Sequence, residues 1–250
     1  MNDNEIVGYV NQYESMGNLD GPGTRFVLFL QGCSLRCQYC HNPETFEISH
    51  NKEYAKTVEE VFNDIMKLKE YYLHDGGVTI SGGEPLLQPD FVLALSKKLK
   101  KANFHVAIDT SGANFENNNT DFNNKIKEIV DVVDLFLVDI KHIDNDKCIE
   151  LTTKPNTNTL SFIDYLSEKN KKVWIRYVLV PTKTDDEEDL KKTGDFILKH
   201  PNIENVDILK YHSMAKAKWD KLGLKYQLKN RDANVDDVNK AYKIMFPSMF

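Results

Sequence analysis

Short apolar runs alternate with amphipathic segments along most of the chain. The apolar runs are continuous rather than interrupted by polar residues, which is typical of strands buried on both faces of a parallel sheet. Six runs predict strands, at residues 25–30, 77–80, 104–109, 134–139, 173–180 and 205–210.

Apolar residues at helical spacing lie between these strands. Thr57 and Glu60 have the spacing of a capping box, in which the two side chains satisfy backbone N–H groups at the start of a helix. The asparagine-rich residues 117–124 predict a surface loop. Further helices are predicted to begin near Pro89 and Thr184, to include Phe162, Ile163 and Leu166, and to occupy residues 235–244.

This alternation of strands and helices predicts an α/β fold. Because parallel strands joined by helices form right-handed βα units, six of them predict a partial (β/α)6 barrel, like an open TIM barrel. A doubly wound sheet is the competing architecture. We expect a single domain over residues 1–250, with the functional site at the carboxyl ends of the strands in either architecture.

Composition and charge narrow the class of protein. Hydrophobic residues make up 41% of the 250 residues, which predicts a packed core. The net charge of -6 argues against a nucleic-acid partner. The N-terminus lacks the basic and apolar regions of a signal peptide, and no apolar run approaches the roughly 20 residues that span a membrane. We therefore expect a cytoplasmic protein with no membrane partner.

Three of the four cysteines are crowded into one short segment. Cys33, Cys37 and Cys40 have the spacing C-x3-C-x2-C, and soft thiolates favour an iron–sulfur cluster or zinc. Structural zinc normally takes four protein ligands, which would require His41 or Cys148 as well. Three thiolates on a four-iron cluster instead leave one iron open to a substrate. We expect Cys148 to lie in a helix and to behave as a small, buried, hydrophobic side chain.

The segment around these cysteines resembles the cluster-binding motif of the radical S-adenosylmethionine (SAM) superfamily. That motif has an aromatic residue before its last cysteine, and Tyr39 occupies this position. The resemblance implies a radical SAM fold in which the cluster loop, residues 33–40, binds a 4Fe-4S cluster and SAM binds the open iron beside Tyr39. It also implies that the reduced cluster cleaves SAM to methionine and a 5′-deoxyadenosyl radical.

A turn with the sequence SGGEP, residues 81–85, follows the second predicted strand. Glycines allow a backbone to approach a ligand closely, but such a turn by itself is most often just a loop. In a chain with the cysteine motif, it resembles the GGE motif of the same superfamily. The resemblance implies that Gly82, Gly83 and Glu84 contact the amino group of the methionine part of SAM.

The sequence DGPGTRF, residues 20–26, lies upstream of the cysteines. A Pro-Gly turn that enters the first strand is the simpler interpretation. Followed by the cysteine motif, however, it resembles the glycyl-radical-enzyme activating family. The resemblance implies an anaerobic oxidoreductase that takes an electron from flavodoxin or ferredoxin and removes a Cα hydrogen from a glycine of a partner enzyme. Asp20, Gly21 and Lys141 are the implied contacts with that protein substrate, and we expect a monomer.

The residues after the cluster motif indicate the partner enzyme. Many family members that act on other enzymes carry a cysteine-rich, ferredoxin-like insert there, whereas in this chain only Cys148 comes after Cys40. This difference favours pyruvate formate-lyase as the partner. Three alternatives stay open: an activator of a different glycyl radical enzyme, a radical enzyme with a small substrate such as 7-carboxy-7-deazaguanine synthase, and an iron–sulfur electron carrier or zinc-stabilised module.

Carboxylates end the third and fourth predicted strands. Asp109 and Asp139 are consistent with a hard-cation site, but solvated strand ends explain such charges equally simply. The resemblance implies a Na+ or K+ site formed by Asp109, Thr110, Asp139 and the carbonyl of Leu137.

Two further residues are assigned to SAM. Arg176 lies in the middle of a predicted strand, and because an unpaired buried arginine is costly, we expect it to face an anion. For Arg176 this anion is a carboxylate within the barrel or that of the methionine part of SAM, and the resemblance implies that His212 contacts the ribose or adenine region of SAM. Lys210 replaces a usual proline and Ala215 a usual glycine, so the loop that carries His212 departs from the family pattern.

Overall fold

The computed structural model describes residues 3–249 and contains one eight-stranded sheet. The order of the strands across the sheet is β3-β1-β2-β4-β5-β6-β7-β8. The strands are β1 Val7–Gly17, β2 Arg25–Leu30, β3 Ala55–Thr57, β4 Gly77–Gly82, β5 Val106–Thr110, β6 Leu135–Asp139, β7 Lys172–Leu179 and β8 Ile203–Lys210.

The six predicted strands form the parallel part of this sheet. β2 pairs in parallel with β4, and from β4 to β8 each strand pairs in parallel with the next one in the chain. A doubly wound sheet reverses its strand order at a switch point, and this series has no such reversal. The prediction of a partial, open α/β barrel is therefore confirmed, and the competing architecture is wrong.

Two strands were not predicted. β1 pairs antiparallel with β2 and with the short β3, which extends the sheet at one edge. The side chains of β1 are partly exposed, and polar residues are mixed with its apolar ones. A search for continuous apolar runs overlooks such a strand, because a strand that is covered on one face only has no such run.

Eight α-helices accompany the strands in the described part of the chain. Most follow a strand and pack their apolar face against the sheet, as expected for βα units. They are α1 Val58–Met66, α2 Pro89–Lys101, α3 Asp121–Val132, α4 Asn145–Thr152, α5 Thr157–Glu168, α6 Glu187–Ile197, α7 Lys216–Lys221 and α8 Val235–Met245.

The starts of two helices test the sequence analysis directly. The capping box is confirmed, since the Thr57 N–H donates to the Glu60 carboxylate at 2.7 Å and the Glu60 N–H donates to the Thr57 hydroxyl at 3.2 Å. The predicted start of α6 near Thr184 is wrong, because Asp186 caps this helix. The Thr184 hydroxyl instead accepts from the Val180 N–H at 2.7 Å and so closes the loop after β7.

The loop predicted at residues 117–124 is shorter than expected. Thr120 caps α3 by accepting from the Asn123 N–H, so the last four of these residues are helical. Polar residues at a helix start satisfy its free N–H groups, which explains why an asparagine-rich segment begins a helix here. The apolar face of α3, which includes Ile126 and Ile129, is buried.

The register of the parallel strands aligns their carboxyl ends. Leu30 lies opposite Gly82, Asp109 lies opposite Leu137, and Asp139 lies opposite Arg176. Polar residues that are far apart in the sequence thus meet at one end of the sheet. No helix within residues 3–249 is both long and apolar enough to cross a lipid bilayer.

Candidate active site

A cavity of about 620 Å³ opens at the carboxyl ends of the parallel strands. It brings together most of the residues that the sequence analysis selected: Asp20, Cys33, Cys37, Tyr39, Cys40, Gly82, Gly83, Asp109, Thr110, Asp139, Lys141, Arg176 and His212. Gly21, Glu84 and Leu137 are the selected residues that do not line it.

The cluster loop is held by backbone hydrogen bonds to helix α4. The N–H groups of Arg36 and Gln38 donate to the carbonyls of Thr152 and Leu151, at 2.8 and 3.0 Å. These carbonyls belong to the last turn of α4, where the helix leaves them without partners of its own. The C-terminus of α4 therefore fixes the position of the loop that carries the three cysteines.

All three thiols of the cluster loop face the cavity, and their buried surroundings disfavour the charged thiolate form. Burial raises the pKa of Cys40 to about 11 and that of Cys33 to about 12, and it raises the pKa of Cys37 further still. Binding to a metal removes such protons, because thiolates are the metal ligands. Three soft donors on one loop fit an iron–sulfur cluster with one iron left free of protein.

The alternative ligands do not complete a zinc site in the described structure. Cys148 is buried in α4, as predicted, and its sulfur lies 3.8 Å from the Thr152 hydroxyl, outside the cavity. His41 lines the cavity, but its ring packs against that of His212, with 4.2 Å between ring centres. Within residues 3–249, no three His, Cys, Asp or Glu side chains are arranged around a single metal ion.

The Gly82–Gly83 turn touches the cluster loop closely. A Cβ atom on Gly83 would lie 2.2 Å from the Gly32 carbonyl oxygen and 3.0 Å from Cβ of Cys33. Gly82 has a φ of +125°, and a Cβ there would lie 2.1 Å from the Leu30 nitrogen. The two glycines are thus required by packing against the loop after β2, in addition to any ligand contact.

Glu84 points away from the cavity into a buried network. Its carboxylate accepts from the N–H groups of Leu86 and Ser111, at 3.1 and 2.9 Å, and from the hydroxyls of Thr110 and Ser111. The residue is only 1% exposed. In this structure Glu84 ties the turn after β4 to the end of β5, and its predicted contact with SAM stays a prediction.

Arg176 faces carboxylates, as expected for a buried arginine. Its Nη1 lies 3.0 Å from Oδ2 of Asp109 and 3.3 Å from Oδ1 of Asp20. Burial raises the pKa of Asp109 to about 6, although the charge of Arg176 opposes this shift. Oδ2 of Asp109 also accepts from Ser81 at 2.7 Å, while Oδ1 is buried without a partner. That free oxygen is available to a ligand.

Lys141 forms the second ion pair of the cavity. Its Nζ lies 3.0 Å from the carboxylate of Asp139 and 5.9 Å from the centre of the Tyr39 ring. Burial lowers the pKa of Lys141, but the Asp139 carboxylate, together with Tyr39 and Cys37, raises it by more, and the net pKa lies well above its ordinary value. Lys141 is therefore a fixed positive charge beside the cluster loop.

Three of the four predicted cation ligands line the cavity, but one of these, Thr110, and the fourth, Leu137, already make contacts within the protein. Asp109, the second-to-last residue of β5, and Asp139, the last residue of the adjacent β6, both line the cavity. The Thr110 hydroxyl donates to Glu84, and Leu137 is buried opposite Asp109 in the sheet. The monovalent-cation site accordingly stays a prediction.

The DGPG segment, residues 20–23, is held at the cavity by hydrogen bonds from two strand residues to its backbone carbonyls. The Thr79 hydroxyl donates to the Asp20 carbonyl at 2.6 Å, and the fully buried Arg25 donates to the Pro22 carbonyl at 3.3 Å. Gly21 has a φ of +123°, a conformation that favours glycine. Gly21 thus shapes the turn, while the Asp20 carboxylate enters the cavity and meets Arg176.

Two contacts of the site were not predicted from the sequence. Ser81 orients Asp109, and its place directly after a strand and before the two glycines was the available signal. Nε1 of Trp219 donates to the Cys40 carbonyl at 2.9 Å. No signal in the sequence pairs Trp219 with Cys40, because the two residues are far apart in the chain. Trp219 does lie seven residues after His212, which was assigned to the site.

The ligand set can be tested by single replacements. Cys33→Ser, Cys37→Ser and Cys40→Ser are each expected to lower bound iron well below the roughly four atoms per chain of a 4Fe-4S cluster, because each removes a thiolate. Anaerobic reconstitution followed by iron and sulfide analysis measures this. Cys148→Ser is the matched control and should retain its iron. An equal loss in that control would contradict the assignment.

The packing of the glycine turn predicts a second effect. Gly83→Ala is expected to push the turn and the cluster loop apart, since the new Cβ overlaps the Gly32 carbonyl. Iron content and visible absorption should fall after reconstitution, while far-ultraviolet circular dichroism stays unchanged. Gly223→Asn is the control, because Gly223 has open space around it and asparagine tolerates its positive φ. A Gly83→Ala protein with full iron content would refute this account.

Comparisons with known proteins agree with this geometry. The chain matches the radical SAM superfamily over residues 27–194. It is 45% identical over 235 residues to a pyruvate formate-lyase-activating enzyme of Listeria monocytogenes, covering 94% of both chains. It is 49% identical over 240 residues to one of Staphylococcus epidermidis, covering 95% of both.

Solved structures share the fold at lower sequence identity. A domain of a pyruvate-formate lyase-activating enzyme from Bacteroides vulgatus has a TM-score of 0.57 at 24% identity, over 70% of this chain and 96% of that chain. SuiB of Streptococcus suis has a TM-score of 0.63 at 15% identity, over 87% of this chain and 44% of that chain. Together with the sequence matches, these findings place the chain in the radical SAM superfamily, within the family of pyruvate formate-lyase-activating enzymes.

Proposed function

We propose that this chain activates pyruvate formate-lyase by generating a radical on one of its glycines. One observation carries the proposal: the three thiols of the cluster loop share a cavity with three charged residues of the parallel strands, Asp109 of β5, Asp139 of β6 and Arg176 of β7. The relatives named pyruvate formate-lyase-activating enzyme, at 45% and 49% identity, support the choice of partner.

Enzymes of this family use a 4Fe-4S cluster and SAM, and the cluster loop fits such a cluster. Cys33, Cys37 and Cys40 would hold it and leave one iron for SAM. When bound and reduced, the cluster supplies the electron that splits SAM into methionine and a 5′-deoxyadenosyl radical, which removes a glycine Cα hydrogen. The role of this chain is to bind and orient the reactants and to keep water away from them.

The polar lining of the cavity supports the predicted SAM contacts to different degrees. Nδ1 of His212 and the hydroxyl of Tyr39 are buried without partners, so both are free to bind a ligand. Gly82 and Gly83 present backbone to the cavity. Arg176 is shared with two carboxylates, so we propose that it orients Asp109 and Asp20 as well as SAM.

Apolar side chains complete the lining and suit radical chemistry. Phe29, Leu35 and Val178 lie on the cavity wall. An apolar wall excludes water and limits side reactions of a reactive intermediate. We propose that it confines the radical to the space beside the cluster loop until the glycine is in reach.

The protein substrate would enter beside the DGPG segment. Leu19 lines the cavity and is 76% exposed, which places it at the cavity mouth next to Asp20. We propose that Asp20, Gly21 and Lys141 position the glycine loop there. The electron donor in this proposal is flavodoxin or ferredoxin, and the enzyme acts as a cytoplasmic monomer with a single domain over residues 1–250.

Direct detection of the product radical tests the function. The reconstituted protein is reduced anaerobically with SAM and purified pyruvate formate-lyase and monitored by electron paramagnetic resonance. We expect a glycyl doublet accompanied by 5′-deoxyadenosine, and neither with Cys37→Ser. Deoxyadenosine without the doublet would reject this partner, while a verified 4Fe-4S sample that yields neither product would favour the electron-carrier alternative.

The proposed cation site predicts a dependence on small monovalent ions. SAM should bind more tightly in K+ or Na+ than in tetramethylammonium, because a bound cation reduces the repulsion between the aspartates at the strand ends and the carboxylate of SAM. Asp109→Asn should weaken binding in K+ by about tenfold, or about 1.4 kcal/mol, and reduce the difference between salts. Equilibrium binding of SAM measures this, with Asp195→Asn, an exposed aspartate of α6, as control. Equal wild-type affinity in all three salts would argue against the site.

A further inference from the structure

Residues 210–231, the basic segment, begin at the last residue of β8 and differ in charge from the rest of the chain. They contain seven of the 32 lysines and arginines but only one of the 38 acidic residues. All seven basic side chains are exposed: Lys210, Lys216, Lys218, Lys221, Lys225, Lys229 and Arg231. A chain with a net charge of -6 therefore contains one exposed segment that is strongly positive.

The inner side of the basic segment rests on the cluster loop and the residues just after it. Trp219 is 6% exposed, and its indole N–H donates to the carbonyl of Cys40 at 2.9 Å. The same ring meets Phe46 edge-on, with 5.4 Å between ring centres. Nζ of Lys218 binds the carboxylate of Glu44 at 2.7 Å. The positive surface thus lies directly outside the third cluster cysteine.

Most charges of this segment have no structural partner. Lys216, Lys221, Lys225 and Lys229 form no ion pair with any side chain of residues 3–249. Like charges crowded on one surface repel one another, so their concentration here is not explained by folding stability. An acidic binding partner would explain it.

Exposed apolar residues are interspersed with these charges. Met214 is 78% exposed, Leu222 47% and Leu224 37%. Apolar residues surrounded by charge are typical of a protein interaction surface. Transient complexes between redox proteins have small interfaces and rely on charge for rapid, correctly oriented encounter.

We propose that the basic segment is the docking surface for an acidic carrier protein that delivers one electron to the cluster. This inference rests on the proposed function. That function requires an electron donor, and the inference states where on this chain the donor binds. One electron passes from the reduced carrier to the oxidised cluster, and no bond forms or breaks. The acidic remainder of the chain repels such a carrier, so the basic segment also sets its orientation.

Charge reversal in the basic segment tests this assignment. In the variant K216E/K221E/K225E, reduction of the cluster by a reduced, strongly acidic flavodoxin should slow by about tenfold or more at low salt. The rate should also lose most of its dependence on ionic strength. Stopped-flow measurement of the visible absorption of the cluster gives both quantities. Cleavage of SAM driven by dithionite should match the wild-type rate, because this small reductant needs no docking surface.

A matched variant controls for the change in net charge. K101E/K169E/K199E reverses three exposed lysines at the ends of α2, α5 and α6, where the chain turns back toward the starts of the strands. Flavodoxin should reduce this variant at nearly the wild-type rate. An equal slowing in both variants would show a general charge effect and overturn the proposal.

The two reductants separate this proposal from the function on which it rests. Unchanged reduction of K216E/K221E/K225E by flavodoxin would refute the docking surface. Loss of SAM cleavage with dithionite as well would also refute it, because the segment would then serve the cavity itself. Failure of the wild-type protein to cleave SAM with dithionite would instead refute the proposed function.

Discussion

The site depends on backbone hydrogen bonds that hold a loop without regular structure of its own. The cluster loop donates to the last carbonyls of α4, and the carbonyl of Cys40 accepts from Trp219. The turn after β4 adds the N–H of Glu84, which donates to the Gly32 carbonyl at 2.8 Å. Because a buried polar group without a partner costs stability, these three contacts together define where the thiols lie.

Charge is distributed unevenly inside the cavity. Asp20, Asp109 and Asp139 face two cations, Arg176 and Lys141. The excess of negative charge adds to burial in making Asp109 hold its proton more tightly than an ordinary aspartate. It also suits a ligand that carries positive charge, such as the sulfonium and ammonium groups of SAM or a monovalent cation. The lining is thus complementary in sign to the reactants of the proposed function.

Two surfaces that meet at the cluster loop would serve different steps. The cavity at the strand ends has an apolar wall and encloses the chemistry, whereas the basic segment, which contributes Lys210 and His212 to the cavity, has its remaining lysines exposed to solvent around the contact between Trp219 and Cys40. The separation has a physical reason. A carbon radical must be kept from competing hydrogen donors and reach its target directly, while an electron needs only a short path through protein. A carrier can therefore dock outside without competing for the mouth beside Leu19.

The sequence alone determined the local features of this protein: the six strands of the parallel series, the capping box at Thr57, the thiol-bearing loop and the glycine turn. These features depend on residue type and spacing over a few positions. Apolar periodicity predicts the strands, and short motifs predict the other three. The tertiary structure decided what long-range contacts control. It added β1, whose half-exposed residues give no continuous run, and turned Glu84 toward Ser111. It also paired Arg176 with Asp20 and joined Trp219 to Cys40. These last two pairs are separated by 156 and 179 positions, and only the parallel register and the packing of the sheet bring them together.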